Sequence, residues 1–250
     1  MSLHREIHFE NDVCDHLAAH GWLYDPGDAA RYDRTRALFG DDLLAWVRQT
    51  QPDAWSRLVQ AHGEDRAATT LLDRVAESLP RRGTLDLLRH GVEIVGLRQP
   101  VSLAQFKPAF GLNPDIRARY DANRLRVVRQ VRYSRHHENS IDLVLFLNGV
   151  PVATAELKSD FTQSVQDAVD QYRFDRPPRT NNQPEPLLAF PGGALVHFAV
   201  SNSEVHTTTR LEGAQTRFLP FNQGREDGAA GNPLNPDGHR TAYLWERIWE

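Results

Sequence analysis

The stretch Ile141–Lys158, IDLVLFLNGVPVATAELK, decides the architecture of this 250-residue chain. Ile141, Leu143, Leu145 and Leu147 alternate with Asp142, Val144 and Phe146, so both faces are apolar. That pattern predicts a strand buried on both sides. Asn148-Gly149 then signals a hairpin, because a tight turn of the favoured hand needs positive φ at both central residues. On the return strand, Val150 to Leu157, side chains alternate, which places Glu156 and, just beyond it, Lys158 on one face. Register decides whether the charges meet. A two-residue turn pairs residues whose numbers sum to 297 and sets Asp142 against Ala155. One extra residue, in the turn or as a bulge, raises the sum to 298 and sets Asp142 against Glu156. The second register is the one expected.

The chemistry of those three side chains is unusual for a buried sheet. Of 29 basic residues only Lys107 and Lys158 are lysine. A lysine two residues after a glutamate, in a chain that otherwise uses arginine, marks a place for a compact ammonium that can hand a proton to water. Two carboxylates in an apolar sheet are costly unless something compensates them. A hard cation such as Mg²⁺ does so, taking the carboxylates, a backbone carbonyl between Glu156 and Lys158, and a substrate phosphate as oxygen ligands. In that arrangement Lys158 orients or deprotonates the attacking water. The competing readings are a structural ion pair of Lys158 with Glu156 or Asp142, and a solvated lysine at a strand end.

Wider blocks of text sharpen this. Arg129-Gln-Val-Arg-Tyr-Ser134 precedes Ser140-Ile-Asp-Leu-Val-Leu-Phe-Leu-Asn-Gly149 and Thr154-Ala-Glu-Leu-Lys158, followed by Ala168-Val-Asp-Gln-Tyr172 and His197-Phe-Ala-Val200. Phe218-Leu-Pro-Phe-Asn222, Gly231-Asn-Pro233 and Tyr243-Leu-Trp-Glu246 complete the series. The Asp142 and Glu156-Leu-Lys158 spacing is similar to that of the PD-(D/E)XK nuclease superfamily. The whole series, from about Ile7 onward, resembles the N-terminal region of the restriction (R) subunit of Type I restriction-modification enzymes.

The resemblance implies an α/β endonuclease domain with a mixed sheet flanked by helices. It implies hydrolysis of duplex DNA with Asp142, Glu156 and Lys158 as catalytic residues and Mg²⁺ held by Asp142 and Glu156. Relatives commonly add a glutamate from an early helix. Here that is Glu10, at the margin of the apolar row Phe9, Val13 and Leu17, with Glu6 as a rival and a rim glutamate as the alternative. Gln171 and Tyr172 are expected to support the site. They are adjacent, however, whereas relatives carry Gln-x-x-x-Tyr, and Ala168 stands where that glutamine would be. The implied partners are double-stranded DNA, the modification (M) and specificity (S) subunits, and ATP-driven motor domains outside this chain. ATP belongs to those domains, since the chain has no Gly-x-x-x-x-Gly-Lys-Ser/Thr loop. The alternative is a non-catalytic module that keeps the fold only to dock on DNA or on the motor.

Composition agrees with these expectations. Charged residues make up 25% and hydrophobic ones 40%, as in a soluble globular protein large enough to bury a core. One cysteine, Cys14, excludes disulfides within the chain and Cys-rich zinc sites. No signal peptide or apolar run of spanning length is present, so the expected compartment is the cytoplasm, without membrane contact. His16 and His20 share a helix face but lack further ligands nearby, and read as solvated.

A net charge of −4 opposes binding nucleic acid by overall charge, yet the arginines cluster. Seven lie between Ile116 and His137, and Arg117, Arg119, Arg124 and Arg126 are the candidate phosphate contacts there, with Arg173 and Arg176 as a second group. The alternative for this strip is a solvated helix face and edge strand.

The expected organisation is one endonuclease domain in three stretches. Residues 1–91 are mainly helical, with helices at Glu6–His20, Asp41–Gln49, Pro52–His62, Glu64–Leu79 and Thr84–Arg89. Residues 92–215 hold the core sheet, with strands at Val92–Leu97, Leu125–Tyr133, the hairpin, Ala194–Ser201 and Glu204–Thr209, and a helix at Gln163–Phe174. An exposed loop is expected from Arg176 to Gly193. Residues 216–250 are an irregular connection and a helix that leads toward an absent motor region, as in a truncated fragment.

Overall fold

The computed structural model describes all residues except 1, 112, 161–162, 226, 237 and 250, and of residues 2–6 it describes the backbone alone. The rival glutamate Glu6 therefore lies outside the described side chains. The first helix, α1 (Ser2–Ala19), buries Phe9, Val13, Cys14 and Leu17 along one stripe. Four helices follow: α2 (Gly40–Thr50), α3 (Pro52–His62), α4 (Glu64–Arg82) and α5 (Thr84–His90). Pro52 opens α3 at a position that needs no amide hydrogen, and Gly63 and Gly83, both at positive φ, separate the next two helices. These helices enclose a core of their own around Trp46, Leu58, Leu71, Val75 and Leu87.

The strand expected at Val92–Leu97 is absent. Val92 makes only an isolated bridge to Val101, and Gly96 turns the chain at φ 91°. The buried Val92 and Ile94 pack into the helical core, so their alternation reports burial without a neighbouring strand. A helix not expected from the sequence, α6 (Pro114–Asp121), lies ahead of the sheet. Asn113 caps it by accepting from the amides of Asp115 and Ile116.

The sheet begins with β1 (Leu125–Arg132), β2 (Ser140–Leu147) and β3 (Val150–Lys158). The crossover from β3 runs through α7 (Val165–Asp170), which widens into a π-helical turn at Gln171–Asp175. Within the expected loop, β4 (Arg179–Thr180) and β5 (Gln183–Pro184) form a separate small hairpin. Then β6 (Val196–Ser201), β7 (Val205–Thr208) and the short β8 (Leu219–Pro220) complete a mixed six-stranded sheet of order β1-β2-β3-β6-β7-β8. Among the named strands only β3 and β6 pair in parallel, which is why a helix connects them. A π-helical turn at Leu244–Ile248 stands where a closing helix was expected.

Both faces of the hairpin are covered. On one, α1 and the Leu244–Ile248 turn pack against Val127, Leu143, Leu145, Ala155 and Leu157. On the other, Val128, Val144 and Phe146 meet Tyr172, Leu187 and Leu188. The tip is buried as well. Asn148 and Gly149 adopt φ 48° and 77°, and a Cβ on Gly149 would sit 2.2 Å from the Phe39 carbonyl oxygen. The fully buried Asn148 amide donates to the Leu103 carbonyl at 3.0 Å, while its oxygen accepts from the Arg124 amide at 2.7 Å.

The register brings the two carboxylates face to face. Leu147 pairs with Val150 and Phe146 with Pro151, the two-residue turn. Val152 is then skipped, and Leu145, Val144 and Leu143 pair with Ala153, Thr154 and Ala155. A bulge near the tip thus shifts the register by one residue and sets Asp142 against Glu156. Among the described residues no helix is long and apolar enough to cross a membrane.

Candidate active site

The bulge creates a row of polar side chains across adjacent strands: Gln130 on β1, Asp142 on β2 and Glu156 on β3. Glu156 is fully buried. Its Oε1 accepts from Arg176 Nε at 2.8 Å, and its Oε2 has no hydrogen-bond partner. Burial, and then the neighbouring Asp142 carboxylate, raise the Glu156 pKa well above its usual value, against the pull of Arg176 and Lys158. Asp142 is fixed on both sides. Its Oδ2 accepts from the Leu157 amide at 2.8 Å and its Oδ1 from Gln130 Nε2 at 3.1 Å.

Lys158 ends β3 and is 8% exposed. Among the described residues it makes no ion pair within 4 Å, though its charge pulls the Glu156 pKa down. It lines an open cleft of about 410 Å³ with Gln163, Asp167, Asp170, Gln171, Phe174 and Asp175. Three aspartates at this mouth favour the approach of cations over bare phosphates. A roomier cleft of about 560 Å³, between Phe9, Asp12, Ser159, Asp160 and His239, lies past the end of β3, beyond the carboxylates.

Glu10 comes close to the row without joining it. Its Oε1 accepts from Gln130 Nε2 at 2.9 Å and its Oε2 from Arg129 Nε at 2.9 Å, one amide away from Asp142. Burial first, then Asp142, raise the Glu10 pKa. Among the described residues no three His, Cys, Asp or Glu side chains are grouped closely enough to hold a metal. Asp142 and Glu156 offer two carboxylates, one with an unpartnered buried oxygen. That donor set suits Mg²⁺, which binds through one or two carboxylates and keeps several waters.

The supporting pair divides. Gln171 lines the cleft with Lys158, and its Oε1 is buried without a partner. Tyr172 points into the core, where its hydroxyl shares a 2.7 Å hydrogen bond with Thr154, itself 2.7 Å from His197 Nδ1. Burial pushes the His197 pKa down to about 3. Tyr172 therefore braces the β3 strand through Thr154, with its ring beside Glu156 in the core.

Several expected phosphate contacts are engaged elsewhere. Arg126 is 6% exposed, paired with Asp28 and Asp42 and stacked over Phe39. Arg124 reaches the same Asp42 at 2.9 Å. Both tie β1 to the helical portion, because a buried carboxylate such as Asp42 draws the nearest guanidinium inward. Arg176 is buried against Glu156, and Arg173 donates to the Thr216 carbonyl at 3.0–3.1 Å. Of the six, Arg117 is exposed, in an i,i+4 pair with Asp121, and Arg119 is half-buried.

Two residues of the site are not evident from the sequence. Arg176 groups there with the phosphate contacts, although a buried glutamate requires a compensating cation and thereby places some arginine beside Glu156. Gln130 carries no signal of charge or spacing. A search among curated proteins finds no match. The family model for the Type I restriction enzyme R protein N terminus matches residues 5–216, a span containing Glu10 and every member of the row. The chain belongs to that family of restriction-enzyme R subunit N-terminal domains.

Proposed function

We propose that this chain is the Mg²⁺-dependent endonuclease domain of a Type I R subunit, of the PD-(D/E)XK kind, and that it hydrolyses duplex DNA. Cutting follows translocation by motor domains outside the chain. The observation that carries the reading is Glu156. A fully buried carboxylate faces a second carboxylate, keeps one oxygen without a donor, and sits two residues from a lysine that has no ion-pair partner among the described residues. Arg176 satisfies one Glu156 oxygen, and a purely structural site would satisfy the other oxygen and the lysine as well.

Asp142 and Glu156 would hold the metal, which would polarise the scissile phosphate and lower the pKa of a bound water. The chain's own residues supply the rest. The Leu157 amide and Gln130 fix the Asp142 oxygens, and Arg176 occupies one Glu156 oxygen and leaves the other for a ligand. Lys158 orients the attacking water and relays its proton at Nζ. The apolar walls on both faces of the hairpin exclude bulk water from Glu156. Duplex DNA and the M and S subunits are the partners this reading requires, in the cytoplasm.

Calorimetric titration of the chain with Mn²⁺ tests the metal assignment. Wild type should bind and Asp142→Ala should not. Absence of binding by both, or equal binding by both, would remove the support for a metal site.

A further inference from the structure

We infer that Gln130 is a positioning residue for the carboxylate site, a clamp that ties Glu10 to Asp142 from the edge strand of the sheet. The inference rests on the metal-site reading above.

Three observations converge. Gln130 has φ 50° in the middle of β1, a left-handed backbone that side chains other than Gly, Asn and Asp rarely adopt. The ladder pairs Arg129 with Leu143 and Val131 with Ile141 and passes over Gln130 and Asp142 between them. Strain of this kind persists where the surroundings impose it, and it concentrates at functional sites. The second observation is the use of the amide. Nε2 spends both hydrogens on carboxylates, Glu10 Oε1 at 2.9 Å and Asp142 Oδ1 at 3.1 Å. Oε1 is held in turn by the Ser140 hydroxyl at 2.8 Å, which fixes which end of the amide faces the acids. The third is topology. Asp142 belongs to the row with Glu156, whereas Glu10 comes from α1, which covers the opposite face of the sheet. β1 is an edge of the sheet, and from it Gln130 reaches both acids.

A neutral amide suits the task. Between two carboxylates it donates twice without adding positive charge, so it orients Asp142 and leaves the site's attraction for a cation intact. Arg129, which also binds Glu10, could not replace it without neutralising the cluster. The left-handed backbone is what swings Gln130 out of ladder pairing and toward both acids.

The test separates clamp from scaffold. Gln130→Gly removes the side chain and relieves the backbone, because glycine adopts positive φ without steric cost. Metal-free, that variant should melt within a few degrees of wild type, because the relieved backbone offsets part of the two lost amide–carboxylate bonds. Its Mn²⁺ dissociation constant, measured by calorimetry on the chain, should rise about tenfold, the usual effect of losing a partner that orients a ligand. Gln130→Asn tolerates the same backbone and keeps a shorter amide that reaches one acid, so its rise should be smaller. In the assembled restriction enzyme, DNA cleavage should fall in the same order while ATP hydrolysis is unchanged. A Gly variant that binds Mn²⁺ like wild type overturns the inference and leaves the metal site standing. A Gly variant that melts far lower and loses metal only in proportion makes Gln130 a fold-stabilising tie, which also overturns it. Wild type that takes up no Mn²⁺ overturns the metal site and the inference with it.

Discussion

Asp142→Asn should make the metal-free chain more stable and the enzyme inactive. Asp142 and Glu156 come next in the β2–β3 register after Leu143 and Ala155, and directly opposed side chains on paired strands are about 5 Å apart. At an effective dielectric constant of about 20, two unit charges at that spacing repel by about 3 kcal/mol. Protonating Glu156 offers no escape, since holding a proton at pH 7 on a carboxyl with an ordinary value of 4.5 costs a similar amount. The asparagine removes that repulsion. Against it stand the bonds from the Leu157 amide and Gln130, each weakened by about 1 kcal/mol when the acceptor loses its charge. The net is stabilisation by about 1 kcal/mol, or about 2–4 °C in melting temperature for a chain of this size. Thermal denaturation in chelator, then with Mg²⁺ at increasing concentration, measures both halves. Wild type should gain stability with metal by mass action, and the variant should not. A variant that melts below wild type in chelator and still gains from Mg²⁺ would mean that Asp142 neither repels Glu156 nor holds the metal.

Other sites give independent outcomes. Lys158→Arg should lose cleavage nearly as completely as Lys158→Ala, since a permanently protonated fork cannot serve as a point ammonium that relays a proton; near-normal cutting would make Lys158 a simple positive charge. Arg126→Ala leaves Asp28 and Asp42 buried without that partner and should cost about 3–5 kcal/mol in urea unfolding, with an effect below about 1 kcal/mol counting against the buried network. His197 is held neutral, its pKa lowered to about 3 by burial, so the unfolded chain binds the extra proton as pH falls below about 6.5. Stability should therefore drop by about 2 kcal/mol from this residue between about pH 6.5 and pH 5, and His197→Asn should flatten that slope; parallel curves would argue against it. Arg117→Ala with Arg119→Ala should flatten the salt dependence of DNA binding by roughly one unit for each phosphate no longer neutralised, and an unchanged slope would assign that face to solvent or a subunit.

The hairpin was legible because burial and turn geometry are both local. Alternation marked the strand and Asn148-Gly149 marked the turn, while Gly63, Gly83 and Pro52 bounded helices through backbone constraints that one residue sets. The bulge at Val152 was legible only through chemistry: two charges on one buried hairpin had to share a face. The arginines show where sequence stops. Charge density reads the sign of a strip, but the partner of each guanidinium lies far along the chain, as Asp42 does from Arg124 and Arg126. The same holds for Arg176 and Glu156, which α7 and its π turn bring together. Gln130 was invisible for a further reason, since a left-handed residue in a strand follows from tertiary restraint and leaves no compositional trace. α6 did leave one, in Asn113-Pro114, a cap and a first-turn proline.

Cleavage by the assembled restriction enzyme, measured beside its ATP hydrolysis, decides whether Asp142, Glu156 and Lys158 form a nuclease centre. Asp142→Ala, Glu156→Ala and Lys158→Ala should each slow cutting of duplex DNA by a factor on the order of 10² or more, with ATP turnover near wild type. Retained cutting in any of the three, or loss of both activities together, would contradict a nuclease centre built on Asp142, Glu156 and Lys158.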